Sequence, residues 1–112
     1  MDLKLTEAQL ENQILQWLTY SGFFAFKLHD QAYFRDGAYR KGSPFQIRGQ
    51  SDVVAIRNGE VFFIEIKTKT GKQSEHQKEF ESKIKASGGN YMLVRSIDEV
   101  RSAFKWPKEI KI

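Results

Sequence analysis

Apolar positions fall into helical spacing early in the chain. Within residues 6–21, Leu10, Ile14, Trp17 and Leu18 stand at i, i+4, i+7 and i+8, one stripe of a helix. Thr6 and Gln9 have the spacing of a capping box, and Gly22 supplies a stop. Residues 23–28 are aromatic-rich and predict a strand. Residues 52–57 and 60–68 are β-rich runs flanking Asn58-Gly59, a strong hairpin signal. A second helix is predicted over 74–87, opened by Ser74 with Gln77 and ended by Gly88-Gly89. Residues 90–95, with Tyr91, Met92, Leu93 and Val94, predict a fourth strand. Ser96 with Glu99 caps a last short helix running to about Phe104. The order α-β-β-β-α-β-α predicts an α/β fold, a mixed sheet of about four strands flanked by helices on both faces. The hairpin is antiparallel, and the helical crossover makes the last two strands parallel. Residues 29–48 show no clear period and are long for a connection.

Length and composition narrow the classes. At 112 residues the sequence reads as one domain, 1–112. Cysteine is absent, which excludes a disulfide scaffold, Cys-ligated metal and a Cys nucleophile. His29 and His76 are too few for a three-His zinc site. No apolar run reaches the ~20 residues of a membrane span. Met1-Asp2-Leu3-Lys4 does not open a secretory signal, so an intracellular protein is expected. Eighteen Lys+Arg against 14 Asp+Glu give a net charge of +4, which permits nucleic-acid binding without proving it. No G-x-x-x-x-G-K-[ST] loop or G-x-G-x-x-G fingerprint is present, so a nucleotide cofactor is unsupported.

The hairpin permits a register argument. A two-residue turn at Asn58-Gly59 pairs Arg57 with Glu60, and counting outward sets Asp52 opposite Glu65. Opposed Cβ atoms lie roughly 4.5–5.5 Å apart, where two carboxylates repel. Lys67 is two residues past Glu65 and shares its face. Val53, Val54, Ala55, Ile56, Phe62, Phe63, Ile64 and Ile66 make both strands apolar on both faces, as in covered central strands. Charges there must sit at a strand end or be paired. Hard carboxylate oxygens suit Mg²⁺ or Mn²⁺; the plain alternative is a salt bridge at a strand end. Gln77 by itself reads as a capping-box residue and Glu11 as a surface carboxylate beside the apolar stripe.

Taken together, Glu11 in the first helix, Gly49-Gln50-Ser51-Asp52, Glu65-Ile66-Lys67 and Ser74-Glu75-His76-Gln77 resemble the PD-(D/E)XK nuclease superfamily. More narrowly they resemble the stand-alone VRR-NUC domain, the virus-type replication–repair nuclease. Ser51 stands where the superfamily name expects proline. The resemblance implies a restriction-endonuclease-like core and metal-dependent hydrolysis of DNA phosphodiester bonds. It implies that Asp52, Glu65 and the backbone carbonyl of Ile66 hold Mg²⁺ or Mn²⁺, with Glu11 completing the site. It gives Lys67 the water and the phosphate charge, and Gln77 the positioning of Lys67 or the water.

Arg35, Arg40, Lys41 and Arg48, with Tyr33, Phe34, Tyr39 and Phe45 interleaved, then read as a DNA-contacting loop, joined by Lys69 and Lys72. Gly37 and Gly42 would let its backbone approach phosphates. The alternative is a solvated loop whose aromatics tuck into the core. Stand-alone members are similar to Holliday-junction resolvases, which implies branched DNA as substrate and a homodimer, since a junction is two-fold symmetric. They are common in phages and prophages, implying a bacterial host's cytoplasm. Competing readings are a less selective nuclease, a non-catalytic DNA-binding module and a structural subunit with salt-bridged carboxylates.

Overall fold

The computed structural model describes residues 4–28, 33–35, 38–40, 45 and 47–104, with backbone alone for 33–35 and 38–40. Helix α1 spans Glu7–Tyr20. The Thr6 hydroxyl accepts from the Gln9 N–H, and the Gln9 side chain accepts from the Thr6 N–H, closing the expected box. Past the helix, the Phe23 N–H returns to the Leu18 carbonyl at 2.9 Å, turning the chain into strand β1, Phe24–Lys27.

Two short strands follow, β2 (Tyr33–Arg35) and β3 (Ala38–Arg40), paired antiparallel with Arg35 opposite Ala38. They fall in the stretch where no period was expected. In sequence Asp36-Gly37 separates them, the same kind of hairpin signal as Asn58-Gly59. Tyr33-Phe34-Arg35 and Ala38-Tyr39-Arg40 show no apolar–polar alternation that would mark them as strands.

Strands β4 (Val53–Arg57) and β5 (Glu60–Ile66) form the central hairpin, with Arg57 opposite Glu60 and Val53 opposite Ile64. Asn58 and Gly59 both have positive φ, 54° and 79°, as a two-residue turn that follows strand twist requires. Helix α2 (Glu75–Ala86) crosses over to β6 (Asn90–Val94), which pairs parallel with β5. Helix α3, Ile97–Phe104, ends the described chain. The main sheet has the order β1-β4-β5-β6, so the chain is a mixed four-stranded α/β fold as expected.

Helices cover both faces. On one, Leu10, Ile14 and Leu18 of α1 and Val100 and Phe104 of α3 pack on Val53, Ala55, Ile64, Ile66 and Val94. On the other, Phe80 of α2 meets Phe63 and Tyr91 edge-on. Among the described residues no helix is long and apolar enough to cross a membrane.

Candidate active site

Asp52 stands just before β4, where the chain is tightly held. The buried Ser51 hydroxyl donates to the Val53 carbonyl, and the Leu28 N–H donates to the Asp52 carbonyl. Gly49, at φ +74°, passes so close to α2 that a Cβ there would lie 2.3 Å from the His76 carbonyl carbon. Only glycine fits, and this contact ties the approach to Asp52 to the first turn of α2.

The Asp52 carboxylate accepts the Ile66 N–H at 2.6 Å. It thus lies against the end of β5, one step beyond the last paired residues, Val53 and Ile64. Burial raises its pKa above the usual aspartate value, and repulsion from Glu7, Glu11 and Glu65 adds to this, while the Ile66 N–H opposes it. Four carboxylates therefore share one field, and a cation placed among them would relieve it.

Glu65 lies on the α2 face of β5 and is 0% exposed. Its Oε1 accepts the Tyr91 hydroxyl and stands 3.5 Å from the Gln73 amide nitrogen. Its Oε2 is buried and has no hydrogen-bond partner among the described residues, and the Lys67 Nζ approaches it only to 3.9 Å. Leaving a buried acceptor unmade costs about 1–3 kcal/mol, and more when it is charged. Lys67 supplies charge compensation but no hydrogen bond. Its side chain is 15% exposed, so the ammonium borders both the buried oxygen and solvent.

Tyr91 is held as a neutral phenol: burial pushes its pKa up strongly, and the Glu65 carboxylate pushes it further. Gln73 also donates to Glu81 at 2.9 Å, and Glu81 pairs with Lys85 at 2.6 Å. The Lys85 pair and the Gln73 amide hold the Glu81 carboxyl below the usual range. Arg95, just past β6, donates to the carbonyls of Thr68 and Gly71 at 2.6 and 2.7 Å. It thereby staples the turn that carries the chain from Lys67 to Gln73.

The remaining expected residues divide. Glu11 is engaged by Lys27 of β1 at 2.9 Å, close enough to Asp52 to raise its pKa. Gln77 turns its side-chain oxygen to the Ser74 N–H at 2.8 Å, the capping role. The glutamine that reaches Glu65 is Gln73, which sits in a loop where no periodicity marks it. Arg48, Lys69 and Lys72 are exposed. Arg35 lies on β2 and Arg40 on β3, with their side chains outside what the structure describes. Lys41, Gly37, Gly42, His29 and Trp106 also lie outside them. Among the described residues no three acidic or histidine side chains already converge as an ion cage. Asp52 and Glu11 each face a protein donor instead.

No protein-family model and no curated protein matches the sequence. Solved structures do match its fold. One described as a VRR_NUC domain superposes with a TM-score of 0.67 at 18% identity, covering 91% of this chain and 97% of that one. A VRR_NUC domain protein gives 0.59 at 18% identity, covering 92% and 88%. Hjc of Archaeoglobus fulgidus, a Holliday junction resolvase from an archaeal hyperthermophile, gives 0.52 at 18% identity, covering 80% and 67%. The chain therefore has the fold of the VRR-NUC domain structures, over nearly its whole length.

Proposed function

We propose that this protein is a divalent-metal-dependent nuclease that hydrolyses DNA phosphodiester bonds, with branched or four-way DNA as its substrate. The observation that carries the reading is the bare, fully buried Oε2 of Glu65, beside Lys67 and in the field of Asp52. An interior carboxylate oxygen with no donor is the group a hard cation satisfies. Asp52 and Glu65 would hold Mg²⁺ or Mn²⁺, with the Ile66 carbonyl as a further ligand. Glu11 would join them on leaving Lys27. Such an ion, when bound, polarises a phosphoryl oxygen and lowers the pKa of water, so no histidine base is needed.

The chain's own groups do the rest. Lys67 holds an ammonium at the boundary of buried carboxylate and solvent, where it donates to the charge that develops on a phosphate. Gln77 acts through α2, whose first turn it closes against Gly49. Arg35, Arg40, Lys41, Arg48, Lys69 and Lys72 supply the cationic surface for the DNA backbone. The likeness to the Archaeoglobus resolvase supports a branched substrate, and a two-fold junction suits a homodimer with paired sites.

The test is cleavage of a labelled four-way junction and a matched linear duplex in Mg²⁺ and in Mn²⁺, beside Asp52→Ala and Lys67→Ala with folding checked by circular dichroism. Symmetric cuts in the junction, an intact duplex and two inactive variants are expected. Cutting of both substrates by the wild type would remove the junction preference. Absence of any metal-dependent cleavage of either would overturn the proposal. Arg40→Ala combined with Lys41→Ala should weaken binding to every DNA and flatten its salt dependence.

A further inference from the structure

Glu65 is unusual in how unequally its two oxygens are treated. Oε1 faces the Tyr91 hydroxyl and the Gln73 amide nitrogen, while Oε2 has no hydrogen-bond donor among the described residues. From this asymmetry we infer that Tyr91 and Gln73 are positioning residues: they clamp Oε1 so that the carboxylate presents Oε2 alone to the divalent cation. The inference rests on the metal-dependent reading above.

Each clamp is itself fixed. The Tyr91 ring packs edge-on against Phe80 of α2, with centroids 6.2 Å apart, and its backbone is paired opposite Phe63 in the parallel register. A phenol has one proton to give, and the Glu65 oxygen that faces it accepts. The Gln73 nitrogen lies 2.9 Å from Glu81 and 3.3 Å from the Tyr91 oxygen as well as facing Glu65. Turning the amide over would press its carbonyl against two carboxylates, so its donor side is set by its surroundings. Lys85 anchors Glu81 in turn. The orientation of Glu65 is thus transmitted from the surface of α2 through Glu81 and Gln73 and, separately, from β6 through Tyr91. Partners behind a metal ligand typically govern metal affinity by 10–100-fold.

Calorimetric titration of Mn²⁺ into the full chain tests this without any DNA. Wild type, Tyr91→Phe, Gln73→Leu and Asp52→Ala are compared well below their melting temperatures. Tyr91→Phe keeps the ring against Phe80 and removes only the hydroxyl; Gln73→Leu replaces the amide with an apolar branch that cannot donate. Each should weaken Mn²⁺ binding by about 10–100-fold. A purely structural role would lower the melting temperature of the metal-free protein and leave Mn²⁺ affinity where it was. Wild-type affinity in both Tyr91→Phe and Gln73→Leu, with binding lost in Asp52→Ala, would overturn the clamp and keep the metal site. Absence of Mn²⁺ binding in the wild type, or its persistence in Asp52→Ala, would overturn the metal site and the clamp with it.

Discussion

The two faces of the central sheet are built to different ends. The face under α1 and α3 is dry: Ile14, Leu18, Val53, Ile64, Ile66 and Val100 are all 0% exposed and all apolar. Under α2, Phe63 meets Phe80 of the helix, but the equally buried residue near the end of β5 is Glu65, with Tyr91, Gln73 and Lys67 around it. Neighbouring residues of a single strand, Ile64, Glu65 and Ile66, thus serve both faces. Apolar burial gains stability in proportion to area. A buried carboxylate with a bare oxygen does the reverse, and persists where the rest of the fold can carry its cost. Cohesion is concentrated on one face, buried polar and charged groups on the other.

Paired substitutions on β5 and α1 separate these tasks. Glu65→Gln preserves volume and removes the charge. It should reduce cleavage by on the order of 10²–10⁴ without lowering the melting temperature of the metal-free protein. Ile14→Ala on the opposite face should cost about 2–5 kcal/mol of folding stability while Mn²⁺ affinity of the folded fraction stays unchanged. Urea melts beside Mn²⁺ titrations read both; a loss of stability in Glu65→Gln matching that of Ile14→Ala would dissolve the distinction.

A smaller effect is expected where the approach to Asp52 meets α2. Gly49→Ala places a Cβ against the His76 backbone at a positive φ. It should destabilise by more than about 1 kcal/mol and reduce Mn²⁺ affinity together, because one contact sets both the loop and the helix. Affinity unchanged in the variant would show that Asp52 is placed by its bond to Ile66 alone.

The smallest effect lies in the pH dependence of the metal-free protein. The pKa of Asp52 is raised on folding above its ordinary 3.8, so the folded state holds that proton more tightly than the unfolded chain. The resulting stabilisation is complete below 3.8 and is lost as pH rises through the raised value. Asp52→Asn retains an oxygen to accept the Ile66 N–H and lacks the titration. Thermal melts in chelator should therefore show the variant gaining on the wild type across that window and staying more stable at neutral pH. Parallel curves would mean that the carboxylate field is relieved in solution.

Much of this organisation is legible along the chain because it is local. Both capping boxes join residues three apart, and Asn58-Gly59 permits one tight turn whose two-residue length sets the register from Arg57 and Glu60 out to Val53 and Ile64, one step short of Asp52 and Glu65. The β2–β3 pair carried a comparable Asp-Gly signal, and only the missing alternation beside it obscured the strands. The surroundings of Glu65 are another matter. Gln73 shows no sign of a role in its loop, and Tyr91 looks like any aromatic of a buried strand.

Short-range hydrogen bonding and hydrophobic period thus determine the helices and the hairpin at whose end Asp52 and Glu65 stand, since each depends on a few neighbouring residues. The approach of Tyr91 and Gln73 to Glu65, and the engagement of Glu11 by Lys27, belong to the folded molecule. Tyr91 reaches Glu65 across 26 positions, and Lys27 reaches Glu11 from an edge strand to a helix. Such contacts depend on the lateral order of strands and the seating of helices on the sheet, which the burial of the whole core decides at once.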